Sequence, residues 1–322
     1  MASKIDGAKA REELVRAFKE GDEERARIWV SQLGAGPRRV RGVLEALLED
    51  PLGLARQAAA FGLGELGGAA SVRRLEQQLA MEEARGDADG AAVVEDILRA
   101  LGRIEERGAR LSLMRKLERL ARGTPERSEV YALARALWRR RHPELLPGVR
   151  QSLGLLSLPA PHGLHGLCVL LEKSPEELGS WARDPTVPVE EKTRVLAVLE
   201  EEVPEAWLPT LSSFLFAAQD WSEPSLRQNR EAAYYVECLF SLLLMDRDRF
   251  VATLPEQGLT VLRAVARRLV AATFPNPSLR AATLLGMTGE PEDAAFLRTH
   301  CPADSVCAQV FLNAAQALRD KR

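Results

Sequence analysis

Aromatic residues make up only 5% of this 322-residue chain, and its four cysteines are dispersed. Sandwich and barrel cores draw heavily on aromatic and β-branched side chains. An apolar content of 46% with so few rings therefore points to Leu- and Ala-rich helices. Scattered cysteines at this density do not form a disulfide framework. An excess of one charge is also missing: 44 Lys and Arg face 46 Asp and Glu, a net charge of −2. That balance excludes a generally basic nucleic-acid binder. The longest uncharged stretch, residues 151–171, is interrupted by Gly154, Pro159, Pro161, Gly163 and Gly166. We expect two short helices there and no membrane insertion. Residues 1–15 carry charge throughout, so no signal peptide is expected and the protein is assigned to the cytoplasm. Lysine is scarce, seven of the 44 basic residues, and this arginine-rich usage suits a GC-rich bacterial genome.

Helical periodicity fills the chain almost everywhere, and sustained alternation is found nowhere. Helices are expected at about 10–19, 22–33, 38–49 and 52–66, with Gly21 and Gly34 as punctuation. In the third of these, Val40, Val43, Leu44, Leu47 and Leu48 form one apolar stripe. Asp50-Pro51 ends it, because proline removes a donor and restricts the residue before it. The helix–turn–helix pattern then recurs to the end. No linker divides it, so a single domain over 1–322 with seven to nine helical hairpins is expected. The acidic stretch 82–90 reads as a loop or insertion.

The segment from Asp50 to Gly67, with Arg56, Ala58, Ala59, Gly64 and Gly67, resembles the second helix of a HEAT-like repeat, particularly the short bacterial type. Partial copies occur at Arg99–Ile104, after Asp184-Pro185, and at Leu284–Glu292. Gly64 and Gly286 are separated by six units of 37 residues. The resemblance implies an all-α fold, a right-handed α-solenoid of stacked antiparallel hairpins. It makes Asp50, Arg56, Gly64, Gly67 and Gly286 structural repeat positions, with Arg56 bonding acids or carbonyls between neighbouring repeats. Such stacking follows physically, since one helical hairpin cannot bury its own apolar face.

Several motifs resolve into bland readings. Gly62, Gly64 and Gly67 spell G-x-G-x-x-G, but they end a helix instead of opening one, so no free helix N-terminus faces a phosphate. His162, His165 and Cys168 spread around a helix and do not converge on one ion. Cys238 reads as a core thiol. Trp181 and Asp184 bring to mind the aromatic and acidic cleft of HEAT-like alkylpurine DNA glycosylases, yet Asp184 before Pro185 is more simply a turn residue. No nucleophile elbow, phosphate loop or metalloprotease motif occurs. No catalytic residue, cofactor or metal is assigned.

Charge segregation is the main functional signal. Residues 99–150 hold fourteen basic and six acidic side chains, whereas 170–205 hold ten acids and four bases. Some of these should form local pairs such as Glu95 with Arg99. Arg139, Arg140 and Arg141 crowd one turn after Trp138, so at least one is expected to reach solvent and steer an acidic protein partner. Seven aromatics lie between Trp207 and Phe240, and Trp221, in a polar turn, is the candidate interface anchor. These features imply a non-enzymatic bacterial scaffold or adaptor that binds a protein on one face. The alternative is a HEAT-like enzyme or nucleic-acid binder, glycosylase-like or bilin-lyase-like, although nucleic acid is disfavoured by the charge.

Overall fold

The computed structural model describes residues 7–123, 126–156, 162–272, 275–303 and 305–320. Residues 157–161, with Pro159 and Pro161 of the uncharged stretch, lie outside them. Among the described residues the chain is all-α, about 80% helical and without strands, and it is built from stacked helical hairpins. It falls into two compact units, Met1–Leu171 and Glu172–Arg322, where the unbroken sequence pattern suggested one domain.

Unit 1 begins with α1 (Gly7–Lys19), α2 (Glu23–Gln32), α3 (Pro37–Leu47) and α4 (Gly53–Leu66). It continues with α5 (Gly68–Arg85), α6 (Ala88–Arg103), α7 (Arg107–Ala121), α8 (Arg127–Arg139), α9 (Leu145–Leu155) and α10 (His162–Glu172). Local chemistry sets the boundaries. The side chain of Asp50 accepts the backbone N–H of Leu52 at 2.9 Å, which shapes the turn into α4. Gly67 ends α4 at φ +64°, a conformation unfavourable for side-chain-bearing residues, and its N–H bonds the Leu63 carbonyl. Packing then takes over. In one layer α4 lies along α6 and α6 along α8, while in the other α5 lies along α7 and α7 along α9.

Small residues bring the first layer together. A Cβ on Gly64 would stand 3.0 Å from the Ala100 Cα, and one on Gly102 would stand 3.0 Å from the Ala136 Cα. The Gly–Ala contact thus steps from α4 to α6 and from α6 to α8. Of the G-x-G-x-x-G glycines, Gly64 serves this packing, Gly62 lies against Leu44 of α3, and Gly67 makes the exit turn.

Unit 2 contains α11 (Pro175–Arg183), α12 (Val189–Leu199), a 3-10 turn at Glu205–Trp207, α13 (Thr210–Ala217), α14 (Glu223–Gln228) and α15 (Arg230–Met245). It ends with α16 (Arg247–Ala252), α17 (Glu256–Ala271), α18 (Pro275–Thr288), α19 (Pro291–Thr299) and α20 (Ser305–Asp320). A reciprocal Ser174–Glu177 capping box starts α11. One layer runs α12, α15, α18, α20, and the other α11, α13, α17. The same small-residue device closes α18 on α20, where a Cβ on Gly286 would approach the Ala314 Cα to 2.8 Å.

The expected loop at 82–90 is a correction. Glu82 to Arg85 form the last turn of α5, and only Gly86 and Asp87 connect it to α6. Glu82 belongs to the helix because its carboxylate is buried against Arg56 and Gln78, and Gly86 at φ +66° supplies the left-handed C-cap.

Candidate functional site

Ion pairs between successive hairpins organise the charged side chains of unit 1. Arg56, on α4, is buried with Glu82 of α5, their side chains 1% and 0% exposed. Its Nε donates to Glu82 Oε1 at 2.8 Å, and Nη1 donates to the carbonyls of Asp50 and Pro51, both at 3.0 Å. Arg103 of α6 reaches back to Glu65 of α4 and Glu23 of α2. Arg27 contacts the same two acids. Arg115 pairs with Glu76, and Arg119 with Glu83.

This arrangement pairs part of the basic stretch at residues 99–150. Several of its bases meet acids outside the counted window, whereas Arg110 pairs with Glu144 and Lys116 also with Glu129 inside it. Arg103–Glu65, Arg115–Glu76 and Arg119–Glu83 are separated by 38, 39 and 36 residues. Acids one repeat period before Arg103, Arg115 and Arg119 were the available sequence signal. Arg99 pairs with Asp96, not with Glu95 as expected. Burial lifts the Asp96 carboxyl from 3.8 to about 6, with Arg99 opposing.

The individual candidates are partly covered by their own units. Only Arg139 belongs to α8; Arg140 caps it and Arg141 lies beyond, so the three do not form one helical turn. All three are half-buried. Arg141 stacks over Trp138 at 5.0 Å and donates to the Trp138 carbonyl at 3.3 Å. Trp221 is likewise half-buried, edge-on to Tyr235 at 5.2 Å, and its carbonyl accepts from Arg268 at 3.0 Å. Its ring is engaged within its own unit. Asp184 accepts from the Thr186 N–H and hydroxyl at 2.8 and 2.7 Å, bonds that hold its carboxyl below the usual range. It is a turn residue.

No family model and no curated sequence matches the chain. Among solved structures, human deoxyhypusine hydroxylase in complex with glycerol is similar over 89% of this chain and 98% of its own. The identity is 18% and the TM-score 0.37. A structure of an engineered protein is similar over 96% of this chain and 88% of its own, at 14% identity and a TM-score of 0.32. Likeness at this level assigns neither a family nor an activity.

One groove in unit 1 joins these elements. It has a volume of about 910 Å³ and opens where α5 and α7 end and α6 and α8 begin. Ala88, Ala91, Ala92, Val94, Leu120 and Gly123 supply its small and apolar lining. Six acids and two bases complete it. Lys116, on α7, is buried with its Nζ between Glu83, at 2.7 Å, and Glu129 of α8. Sequence reasoning missed this site because Glu82 to Asp89 read as a loop, whereas folded Glu82, Glu83, Gly86, Asp87 and Ala88 line it.

Other reactive-looking groups have structural explanations. Burial pushes the Cys238 thiol up to about 12, which keeps it protonated. Buried Tyr235 donates to the Phe214 carbonyl at 2.7 Å. Lys192 donates to the Asp184 carbonyl at 2.8 Å, and its pKa is lowered by burial. Among the described residues no three His, Cys, Asp or Glu side chains gather as metal ligands, and no helix is long and apolar enough to cross a membrane.

Proposed function

We propose that this protein is a non-catalytic binding scaffold of the bacterial cytoplasm and that the groove between the α5–α6 and α7–α8 hairpins docks a segment of a protein partner. The observation that carries the reading is the groove itself. Its volume falls within the range of ligand-binding clefts, and its small-residue lining leaves room for incoming side chains. Its walls are held by ion pairs between helices, which favours a preformed surface over one that must be ordered on binding. The buried, protonated state of Cys238 and the bonded state of Tyr235 suit a binding role better than nucleophilic chemistry. The acid-rich lining disfavours a phosphate backbone, and with it the nucleic-acid alternative.

Filling the groove tests this reading. Ala91 is exposed on α6, so Ala91→Trp should block the site without disturbing the core. Proteins co-purifying with the wild-type chain from a native extract should be lost selectively from Ala91→Trp at equal stability. Recovery of the same proteins by both would remove the groove from the binding surface.

A further inference from the structure

We propose that the segment this groove accepts is basic, its Lys or Arg side chains lying along the alanine lining with their cationic heads on Glu95 and Glu126. The inference rests on the groove being the docking site and adds the chemistry of the occupant.

The charges already spent inside the groove carry the argument. Both bases of the lining are committed: Lys116 to Glu83 and Glu129, and Arg119 to Glu83 at 3.2 Å. Glu82 is neutralised by Arg56, and Asp87 accepts the Gly90 N–H at 2.6 Å as the N-cap of α6. Glu95 and Glu126 are left. Among the described residues neither makes an ion pair, and Glu126 makes no side-chain capping bond. Glu95 stands half-buried on α6, and Glu126 stands exposed where α8 begins.

Helix dipoles do not overturn this balance. The N-termini of α6 and α8 bring partial positive charge to the opening, but α5 and α7 end there and bring a similar negative charge. The side chains therefore set the sign. An acidic partner would meet like charge across the groove, whereas a cationic head would gain charge-assisted bonds. Ala88, Ala91 and Ala92 offer a surface for the methylene stem of Lys or Arg, which carries apolar area behind its charged head. The occupant's charge is thus opposite to that expected from the arginine count of residues 99–150.

The test uses the full chain and defined probes: a labelled nonapeptide of alternating alanine and arginine, its glutamate counterpart, and spermidine. Fluorescence anisotropy should show saturable binding of the arginine peptide that weakens with salt, and no binding of the glutamate peptide. Glu95→Gln with Glu126→Gln should weaken the arginine peptide about 10-fold or more, the loss of roughly one charge-assisted bond. The control pair Glu24→Gln with Glu256→Gln, exposed acids that do not line the groove, should leave binding unchanged. Melting temperature should hold in both, because Glu95 and Glu126 anchor nothing in the fold. Equal binding by both variant pairs, absence of saturable binding, binding of the glutamate peptide, or displacement by spermidine at the peptide's own affinity would each overturn the proposal. Partner capture separates the two levels. Loss in Ala91→Trp with retention in the double Gln variant would sink the basic occupant and spare the groove. Retention in both would sink the two together.

Discussion

Arg56 carries the heaviest single-residue burden in unit 1. Its guanidinium lies in the interior, bonded to a carboxylate and two carbonyls across a turn. Truncation would strand the buried Glu82 with Gln78 and the half-exposed Arg85. Arg56→Ala should cost about 3–5 kcal/mol, read as a lower urea midpoint at unchanged slope. Arg56→Met combined with Glu82→Leu should recover most of that loss, since replacing both partners leaves no charge uncompensated. Asp96 gives the opposite sign. Its folded value of about 6 lies above the ordinary 3.8, so within that interval the folded chain keeps a proton that the unfolded chain has released. Its contribution to stability therefore falls as pH rises through the window, by about 3 kcal/mol in all. In Asp96→Asn this downward slope should vanish, and the variant should be the more stable one at neutral pH. Denaturation midpoints across pH 4 to 7 check both points.

For pairs of helices, glycine separates a close approach from mere presence in a helix. Gly286 has the Ala314 backbone where its Cβ would be, so Gly286→Ala should push α18 from α20 and cost about 1–3 kcal/mol. Gly42, inside α3, has nothing within 4 Å of its Cβ position, and Gly42→Ala should stabilise by roughly 0.5–1 kcal/mol. Thermal unfolding of the two variants should move in opposite directions. Sequence periodicity located the helices around Gly64 and Gly286 because local spacing reports which face is apolar. It did not locate the end of α5. A run of acids looks solvated until Arg56, 26 residues upstream, draws Glu82 inside.

Across the whole chain, the two compact units each have their own buried layer, so local damage should stay local. Hydrogen exchange read by peptide should show Arg56→Ala losing protection mainly in α4 to α6, and Gly286→Ala mainly in α17 to α20. Uniform loss over both units in either variant would mean that the stacks open as one. The ion pairs spaced 36 to 39 residues apart act at this scale too: each links helices of successive hairpins, and none is local to one helix. A window of sequence records such a charge as free, whereas the fold records it as matched.

Helix content, the Asp50-Pro51 turn, the left-handed exit at Gly67 and the need of each hairpin for neighbours were all determined by the sequence. Each depends on residues within a few positions of one another, where spacing and backbone chemistry suffice. Tertiary structure alone decided which charges remain unspent. Arg139, Arg140, Arg141 and Trp221 are half-buried, Arg141 and Trp221 in ring contacts within their own units, while Glu95 and Glu126 gained significance because neither makes an ion pair among the described residues. Coulomb attraction acts through space, and Arg103, Arg115 and Arg119 find acids 38, 39 and 36 residues away along the chain. The sign of the groove therefore became visible only when the hairpins were stacked.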